Sequence, residues 1–325
     1  MVNNSYRKAS PGVLKKLLNA LLLYLIFFKK ITYKTNIIMI SKGKLLLIGG
    51  SEDRSDTNNE MEKKNRDFIP HEILKLLIQD KNDRIEVVTT ASSEPESMRK
   101  TYTETFDELG FTNYDFLHLC DQQLHSDHYF KRVEASKTIF FTGGDQNKIC
   151  EELKNSSINE LILDKYKNEE GFLVAGTSAG AMCMPDIIIS DAVNGEAILD
   201  EDIKILPGLG LIDHCIVDTH FVHRGRFSRL AHASILHPDH WGIGLGEDTA
   251  LIIEEGHRAK CKGSGMVLVI SAKNIKQTNV STAEKGEPVY AENLQVHILT
   301  DGCSIDFNSG IITTGEPERS KNTTE

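Results

Sequence analysis

Short apolar runs alternate with longer amphipathic segments from Lys44 onward, and this alternation restricts the possible folds more than any other feature. The runs have the length of strands, and the segments between them carry apolar residues at helical spacing. The candidate strands are 44–50, 85–91, 114–119, 138–144 and 172–177, and the candidate helices are 68–80, 94–110, 126–136 and 146 to about 167. Such alternation predicts βαβ units, and therefore a mostly parallel sheet with helices on both faces.

After residue 205 the strand candidates are punctuated by glycine. They are 242–256, 266–272 and 294–307. We expect them to extend the same sheet as antiparallel strands. No Pro- or Ser-rich linker divides the chain, so one catalytic α/β domain is predicted over 41–312, followed by a flexible tail over 313–325.

The first forty residues have a different composition. Residues 1–44 carry nine Lys or Arg and no acid, whereas the remainder carries 28 basic against 47 acidic residues. The run 17-LLNALLLYLIFF-28 is shorter than the roughly 20 apolar residues that a membrane span needs, and no small-residue cleavage site follows it. Residues 1–40 are interpreted as a basic and apolar leader that is disordered, signal-like or spurious. Two alternatives stay open: translation starts at Met39 and the upstream segment is spurious or a disordered leader, or residues 13–30 form a membrane anchor or an export signal.

Charge and cysteine usage restrict partners and cofactors. The charge of −19 after residue 44, from 28 basic and 47 acidic residues, argues against nucleic acid as a partner and favours cationic substrates. The six cysteines lie far apart, with no CxxC pair and no Cys/His cluster, so neither a metal site nor a disulfide framework is predicted. The thiols are interpreted as reduced core residues. We expect a cytoplasmic protein that contacts a membrane only if the leader is retained.

The stretch 172-FLVAGTSAGAMCM-184 leads from an apolar strand through Gly-Thr-Ser-Ala-Gly into a helix-compatible segment. This is the setting of a nucleophile elbow, which holds a serine at the carboxyl end of a strand. Gly176 and Gly180 leave room for the sharp turn, and the following helix N-terminus stabilises a forming oxyanion. Ser178 is therefore the candidate nucleophile, and a structural turn that needs glycine is the alternative.

A second glycine pair, in 142-TGGDQ-146, ends the preceding strand candidate. A parallel sheet brings this turn beside the elbow, where the amides of Gly144 and Ala179 would form an oxyanion hole. The alternative is an ordinary turn between strand and helix.

A serine nucleophile needs a base within hydrogen-bonding distance and a carboxylate that orients the base. The densest polar cluster, 218-DTHFVHRGRFSRL-230, offers His220 and His223 as the base. The candidates for the orienting carboxylate are Glu247, Asp248 and Asp218. Four other histidines are interpreted as surface or packing residues: His214, His232, His237 and His240.

Three arginines follow the candidate base, at Arg224, Arg226 and Arg229. Arg226 and Arg229 would share one face of a helix. Guanidinium groups bind carboxylates through paired hydrogen bonds, so the cluster predicts a substrate with carboxyl groups. A solvated basic helix face is the alternative.

Six stretches in order together resemble the cyanophycinases, serine exopeptidases related to the aspartyl dipeptidases. They are 45-LLLIGGSED-53, 90-TASSEP-95, 141-FTGGDQ-146, 176-GTSAGA-181, 218-DTHFVHRGRFSRL-230 and 246-GEDTAL-251. The resemblance extends from about Lys44 to Phe307. It implies a flavodoxin-like three-layer α/β sandwich, similar to class I glutamine amidotransferase domains, with a mostly parallel sheet and antiparallel C-terminal strands.

The resemblance also implies a Ser–His–Glu triad, which falls on Ser178, His220 and Glu247, with no metal or organic cofactor. Members of the family hydrolyse cyanophycin, a poly-aspartate bearing arginine on each β-carboxylate, to β-Asp-Arg dipeptides, and they suggest a homodimer. The substrate-binding residues carried over are Gln146, Asp218, Arg224, Arg226 and Arg229. In this interpretation Arg226 and Arg229 bind substrate carboxylates, while Asp218 meets the substrate's arginine.

The chain departs from the family at Thr219, where Gln is usual, and over 186–206, where the pocket positions do not align. The sequence therefore leaves two alternatives open. One is an aspartyl or isoaspartyl dipeptidase acting on short Asp-X peptides, and the other is a non-catalytic binding protein on the same fold.

Overall fold

The computed structural model describes residues 40–54, 68–120, 124, 126–193 and 197–315. The predicted leader up to Met39 and residues 316–325 of the predicted tail lie outside the described residues. Among the helices of the described part, none has both the length and the apolar character needed to cross a bilayer.

The elements are numbered along the chain. The strands are β1 (Lys44–Ile48), β2 (Ile85–Val88), β3 (Tyr114–Leu117), β4 (Thr138–Phe141), β5 (Leu173–Thr177), β6 (Ile187–Ala192), β7 (Ile203–Pro207), β8 (Cys215–Asp218), β9 (Trp241–Leu245), β10 (Thr249–Glu254), β11 (Arg258–Gly263), β12 (Val267–Ser271), β13 (Gln277–Thr278), β14 (Ala291–Glu292), β15 (Gln295–Leu299), β16 (Cys303–Asp306) and β17 (Ile312–Thr314). The helices are α1 (Pro95–Glu108), α2 (Asp127–Ala135), α3 (Gln146–Leu153), α4 (Ser157–Asn168), α5 (Ala179–Met182) and α6 (Phe227–Leu236).

A nine-stranded sheet forms the centre of the fold, in the order β17-β16-β11-β10-β1-β5-β4-β2-β3. The five strands from β1 to β3 in this order are parallel, and those from β10 to β17 are antiparallel. The parallel strands lie in the five predicted segments, which confirms the mostly parallel α/β prediction. β17 includes Thr313 and Thr314, which were assigned to the tail, because it pairs with β16.

The strand β1 is apolar throughout because both of its faces are covered. Leu45 and Leu47 enter one buried core, whereas Leu46 and Ile48 enter the other, where they meet the rings of α1. The sheet is therefore the middle layer of the molecule.

Two helix predictions need correction. The helix predicted from 146 to about 167 is two helices, because the hydroxyl of Ser156 caps α4 by accepting a hydrogen bond from the amide of Asn159 at 3.1 Å. The helix predicted over 68–80 is only a 3₁₀ turn at Leu74–Leu77. His71 adopts a left-handed φ of 56°, and its amide donates to Asp53 Oδ2 at 3.1 Å, so regular helix does not start there.

The expectation that all C-terminal strands extend one sheet is wrong. β8, β9, β12 and β15 form a second sheet in the order β15-β12-β9-β8. The segment 242–256, predicted as continuous, leaves β9 in the second sheet and enters β10 in the first. It crosses at Gly246, so close to β1 that a Cβ on Gly49 would lie 1.8 Å from the Gly246 oxygen.

The second sheet packs over one face of the first. Val217 of β8, Ile243 of β9 and Val269 of β12 share a buried cluster with Leu45 and Leu47. The opposite face of the second sheet is covered by α6. The hairpin β6–β7 packs with this helix in a separate buried cluster. As a result, the carboxyl ends of β1, β5, β8 and β9 meet in one region.

Candidate active site

Three loops are fastened to the carboxyl end of β1. The carbonyl oxygens of residues 48–50 accept hydrogen bonds from the amides of Ser178, His220 and Asp248, in that order, at 3.1, 2.8 and 3.2 Å. These amides belong to the segments that follow β5, β8 and β9. The end of one strand thus sets the relative positions of residues that are far apart in sequence.

Ser178 lies on a sharp turn between β5 and α5, with φ of 52° and ψ of −119°. This conformation is strained for a residue with a side chain, and such strain is typical of a nucleophile elbow. A Cβ on Gly176 would lie 2.2 Å from the Gly180 oxygen, and one on Gly180 would lie 2.1 Å from the Phe141 oxygen. Glycine is therefore required at both positions for β4, β5 and α5 to pack this closely.

The side chains of Ser178, His220 and Glu247 form a continuous chain of hydrogen bonds. Ser178 Oγ lies 3.0 Å from His220 Nε2, and His220 Nδ1 lies 2.8 Å from Glu247 Oε1. The imidazole and the carboxylate are 13% and 16% exposed, so water is largely excluded from the bond between them. A proton on Nδ1 leaves Nε2 as an acceptor for the serine hydroxyl.

The other base and acid candidates point elsewhere. His223 is exposed, and Asp248 accepts a hydrogen bond from the hydroxyl of Ser264. Asp218 is fully buried against arginines. Among the candidates that the sequence left open, the geometry brings only His220 and Glu247 to the serine.

The turn at Gly143–Gly144 lies beside the elbow, as the parallel sheet required. A Cβ on Gly143 would lie 3.4 Å from Ser178 Cβ, and Gly144 has φ of 142° because its backbone passes close to the Ala91 oxygen. Within the described residues, no hydrogen bond uses the amide of Gly144 or of Ala179. Both amides are thus available as donors, and their role as an oxyanion hole stays a prediction.

The pKa of His220 is lowered from 6.5, mainly because burial disfavours the imidazolium. The hydrogen bond to Glu247 acts in the opposite direction, Arg224 lowers the pKa further, and the charges of Glu247 and Glu52 raise it. The imidazole is therefore neutral near pH 7, which is the state a general base requires.

The expected contact of Asp218 with a substrate arginine is corrected by the structure, because the protein's own arginines occupy this carboxylate. Arg226 Nη1 donates to Asp218 Oδ1 at 2.9 Å, and Arg229 donates to both carboxylate oxygens at 2.6 and 2.5 Å. The Thr219 amide also donates to Oδ1 at 2.9 Å. Asp218 is completely buried and ties the end of β8 to the start of α6. Arg226 and Arg229 are held in place by it, and their contact with substrate stays a prediction.

Arg224 differs from the other two arginines. It is exposed, it forms no ion pair with any described residue, and it lies near enough to His220 to lower that residue's pKa. Gln146, in contrast, donates through Nε2 to the Ile189 oxygen at 2.9 Å and anchors α3 to β6. Of these three arginines, Arg224 is thus the one whose guanidinium is not paired with a carboxylate of the described residues.

Glu52 is a buried carboxylate that the sequence reasoning did not select. It is 1% exposed, and its two oxygens accept hydrogen bonds at 2.5 Å from the hydroxyls of Tyr102 and Thr177. Thr177 precedes the candidate nucleophile, and the charge of Glu52 raises the pKa of His220. The available signal was the acidic pair directly after the GGS turn at the end of the first strand.

A serine on a strand–helix elbow, hydrogen-bonded to an imidazole that a glutamate orients, is the arrangement of serine hydrolases. Residues 45–260 match peptidase family S51. The chain belongs to this family and is a serine peptidase.

Similar proteins agree with this assignment. The cyanophycinase of Trichormus variabilis is 33% identical over 219 residues, covering 67% of this chain and 73% of that protein. The cyanophycinase of Synechococcus elongatus is 30% identical over 266 residues, covering 80% of this chain and 78% of that protein. The crystal structure of a peptidase from an acI-B1 Actinobacterium has the same fold, with a TM-score of 0.57 at 20% identity, covering 82% of this chain and 98% of that one.

Proposed function

We propose that this peptidase is a serine exopeptidase that hydrolyses cyanophycin to β-Asp-Arg dipeptides through an acyl-enzyme. The observation that carries the proposal is the series of hydrogen bonds from Ser178 through His220 to Glu247, at 3.0 and 2.8 Å. Similarity to two proteins named cyanophycinase, at 33% and 30% identity, supports the substrate.

In the first half-reaction, Ser178 Oγ attacks the carbonyl carbon of the scissile peptide bond while its proton passes to His220 Nε2. Glu247 stabilises the imidazolium that forms and keeps the ring in the productive orientation. The amides of Gly144 and Ala179 donate to the oxyanion, a contribution of about 3 kcal/mol per donor. Collapse of the tetrahedral intermediate breaks the C–N bond, and the leaving amine takes the proton from Nε2.

In the second half-reaction, water attacks the ester carbon of the acyl-enzyme. His220 accepts one proton from the water and returns it to Ser178 Oγ as the ester bond breaks. The serine is regenerated and the acyl part leaves as a free acid. The protein's own residues supply each proton transfer in this scheme.

The charges near the site suit a substrate rich in carboxyl groups. Arg224 is exposed beside His220, and Arg226 and Arg229 are held nearby by Asp218. Guanidinium groups bind carboxylates with two parallel hydrogen bonds, which fixes the orientation of a bound aspartate unit. We assign Arg224 to direct contact with a substrate carboxylate.

The test of the nucleophile is the variant Ser178→Ala. We expect it to lose release of soluble β-Asp-Arg from insoluble cyanophycin and to fail to react with a serine-directed phosphonate, while its melting temperature stays near that of the wild type. Ser281→Ala is the matched control, because Ser281 is exposed. Full activity of Ser178→Ala would remove the nucleophile assignment.

The substrate is tested separately on the wild-type enzyme. Release of dipeptide from the polymer, with slower cleavage of short Asp-X peptides, is the expected result. Cleavage of the short peptides alone would contradict cyanophycin as the substrate and favour a dipeptidase activity. If the protein cleaves neither substrate and does not react with the phosphonate, a non-catalytic binding protein is favoured.

We also propose a cytoplasmic homodimer, with membrane contact only if the leader is retained. All six cysteines are free thiols, which suits a reducing compartment. Sedimentation over a range of concentrations should give the mass of two chains, and the mass of one chain at every concentration would contradict the dimer.

A further inference from the structure

A cavity lies at the end of the second sheet opposite the candidate active site. Its volume is about 830 Å³, and its lining includes His214, Asp239 and His240, which come just before β8 and β9. His220 and Glu247, in contrast, follow the carboxyl ends of these two parallel strands. Each strand spans about 13–17 Å, so the cavity is separate from the active site.

Three side chains of this cavity carry atoms that metals prefer. One ligand atom from each of His214, Asp239 and His240 lies within 4.8 Å of the other two. Ligands around a tetrahedral zinc ion are about 3.3 Å apart, so the more widely separated of these atoms must approach one another by at most about 1.5 Å. His214 and Asp239 are exposed, and rotation of their side chains can supply this movement.

His240 is already oriented for ligation. Its Nδ1 lies 3.0 Å from Asp239 Oδ1, and its Nε2 lies 3.2 Å from Asp186 Oδ2. If Nδ1 binds an ion, the proton resides on Nε2 and is donated to Asp186. Metal-binding histidines almost always donate their second ring N–H to a carboxylate or carbonyl in this way.

Asp186 is fixed independently of the cluster. Its amide donates to the Ile212 oxygen at 3.0 Å, and its carbonyl accepts from the Gly208 amide at 2.9 Å. Its other carboxylate oxygen, Oδ1, is buried and has no hydrogen-bond partner among the described residues. A negative charge is therefore held against the ring of His240, where a bound cation would compensate it.

We propose that His214, Asp239 and His240 bind one divalent transition-metal ion, with Asp186 orienting His240. Two imidazoles and one carboxylate suit Zn²⁺, whereas Mg²⁺ and Ca²⁺ prefer oxygen ligands alone. Three protein ligands leave one position open toward the cavity. Since the ion would join the segments preceding β8 and β9, its effect is on stability, and it takes no part in the peptidase reaction.

The proposal is tested with the full chain after removal of metals by a chelator. Isothermal titration with Zn²⁺ should show one ion per chain, and the ion should raise the melting temperature, since it binds the folded state. His214→Asn and Asp239→Asn should each weaken binding by more than about tenfold, and Asp186→Asn by about 10–100-fold. Asn tolerates the left-handed φ of 58° at position 214, so the backbone is preserved.

His297→Ala is the matched control, because His297 lines the same cavity but lies outside the cluster. Its affinity for Zn²⁺ should equal that of the wild type. Melting temperatures without metal verify that each variant is folded. Absence of saturable binding in the wild type, or equal affinity in the wild type, His214→Asn and Asp239→Asn, would overturn the proposal.

Discussion

At the scale of single residues, the protonation of His220 depends on charges of both signs around a buried ring. Burial lowers its pKa, the hydrogen bond to Glu247 opposes this effect, and Arg224 and Glu52 act in opposite directions. Glu52 does not touch the imidazole; it is held by Tyr102 and Thr177. We therefore interpret it as a positioning residue that acts through Thr177 and through its charge.

The pH dependence of kcat/KM tests this interpretation. The base works only when it is neutral. The value of kcat/KM should therefore rise with pH through the pKa of His220 in the substrate-free enzyme, which lies below 6.5. Glu52→Gln removes a charge that raises this pKa, so the rise should move to lower pH. Arg224→Gln removes a charge that lowers it, so the rise should move to higher pH.

Arg258→Gln is the control for these profiles, because Arg258 is 62% exposed and pairs with Glu255 in a different part of the sheet. Its profile should match that of the wild type. If the pH profiles of Glu52→Gln and Arg224→Gln shift in the same direction, the electrostatic account is refuted.

At the scale of elements, the carboxyl end of β1 organises the site. Its last carbonyls hold the loops of Ser178, His220 and Asp248, and the chain crosses between the two sheets at the same point. Gly50 has φ of 96°, and a Cβ there would lie 2.3 Å from His220 Nε2. The imidazole of His220 therefore occupies space that a side chain at position 50 would fill.

Gly50→Ala should displace the ring of His220. A misplacement of about 1 Å costs on the order of a hundredfold in rate, and we expect a loss of kcat/KM of at least this size. Gly110→Ala is the control, because Gly110 has φ of 74° with no atom within 4 Å of its added Cβ. Both variants lose about 1–2 kcal/mol of stability from the left-handed backbone. Equal activity of the two would show that position 50 does not control His220.

At the scale of the whole molecule, the described elements of the fold and site lie between Lys44 and Thr314. The matched family region, 45–260, falls within the same span. The unit Ser41–Glu325 therefore contains what the proposed reaction needs.

A chain that starts at Met39 should have the kcat/KM and melting temperature of the full chain. Both are measured on purified proteins with the same cyanophycin preparation. A marked loss of activity or stability in the shorter chain would assign residues 1–38 a role in catalysis or folding.

The five parallel strands and the elbow at Ser178 could be predicted from the sequence alone. These features depend on local patterns: apolar runs of strand length, and small residues where a strand turns sharply into a helix. The sequence also limited the candidates for the base and the orienting carboxylate to a few residues. They follow strand ends, and the carboxyl ends of parallel strands lie at one edge of a sheet.

Other features of the fold and site depend on the tertiary structure. It enclosed Asp218 between two arginines, divided the C-terminal strands between two sheets, and brought His214 to His240. Each of these outcomes depends on contacts between residues far apart in the chain. Such contacts are set by packing and burial of the whole molecule, which no local pattern of residues records.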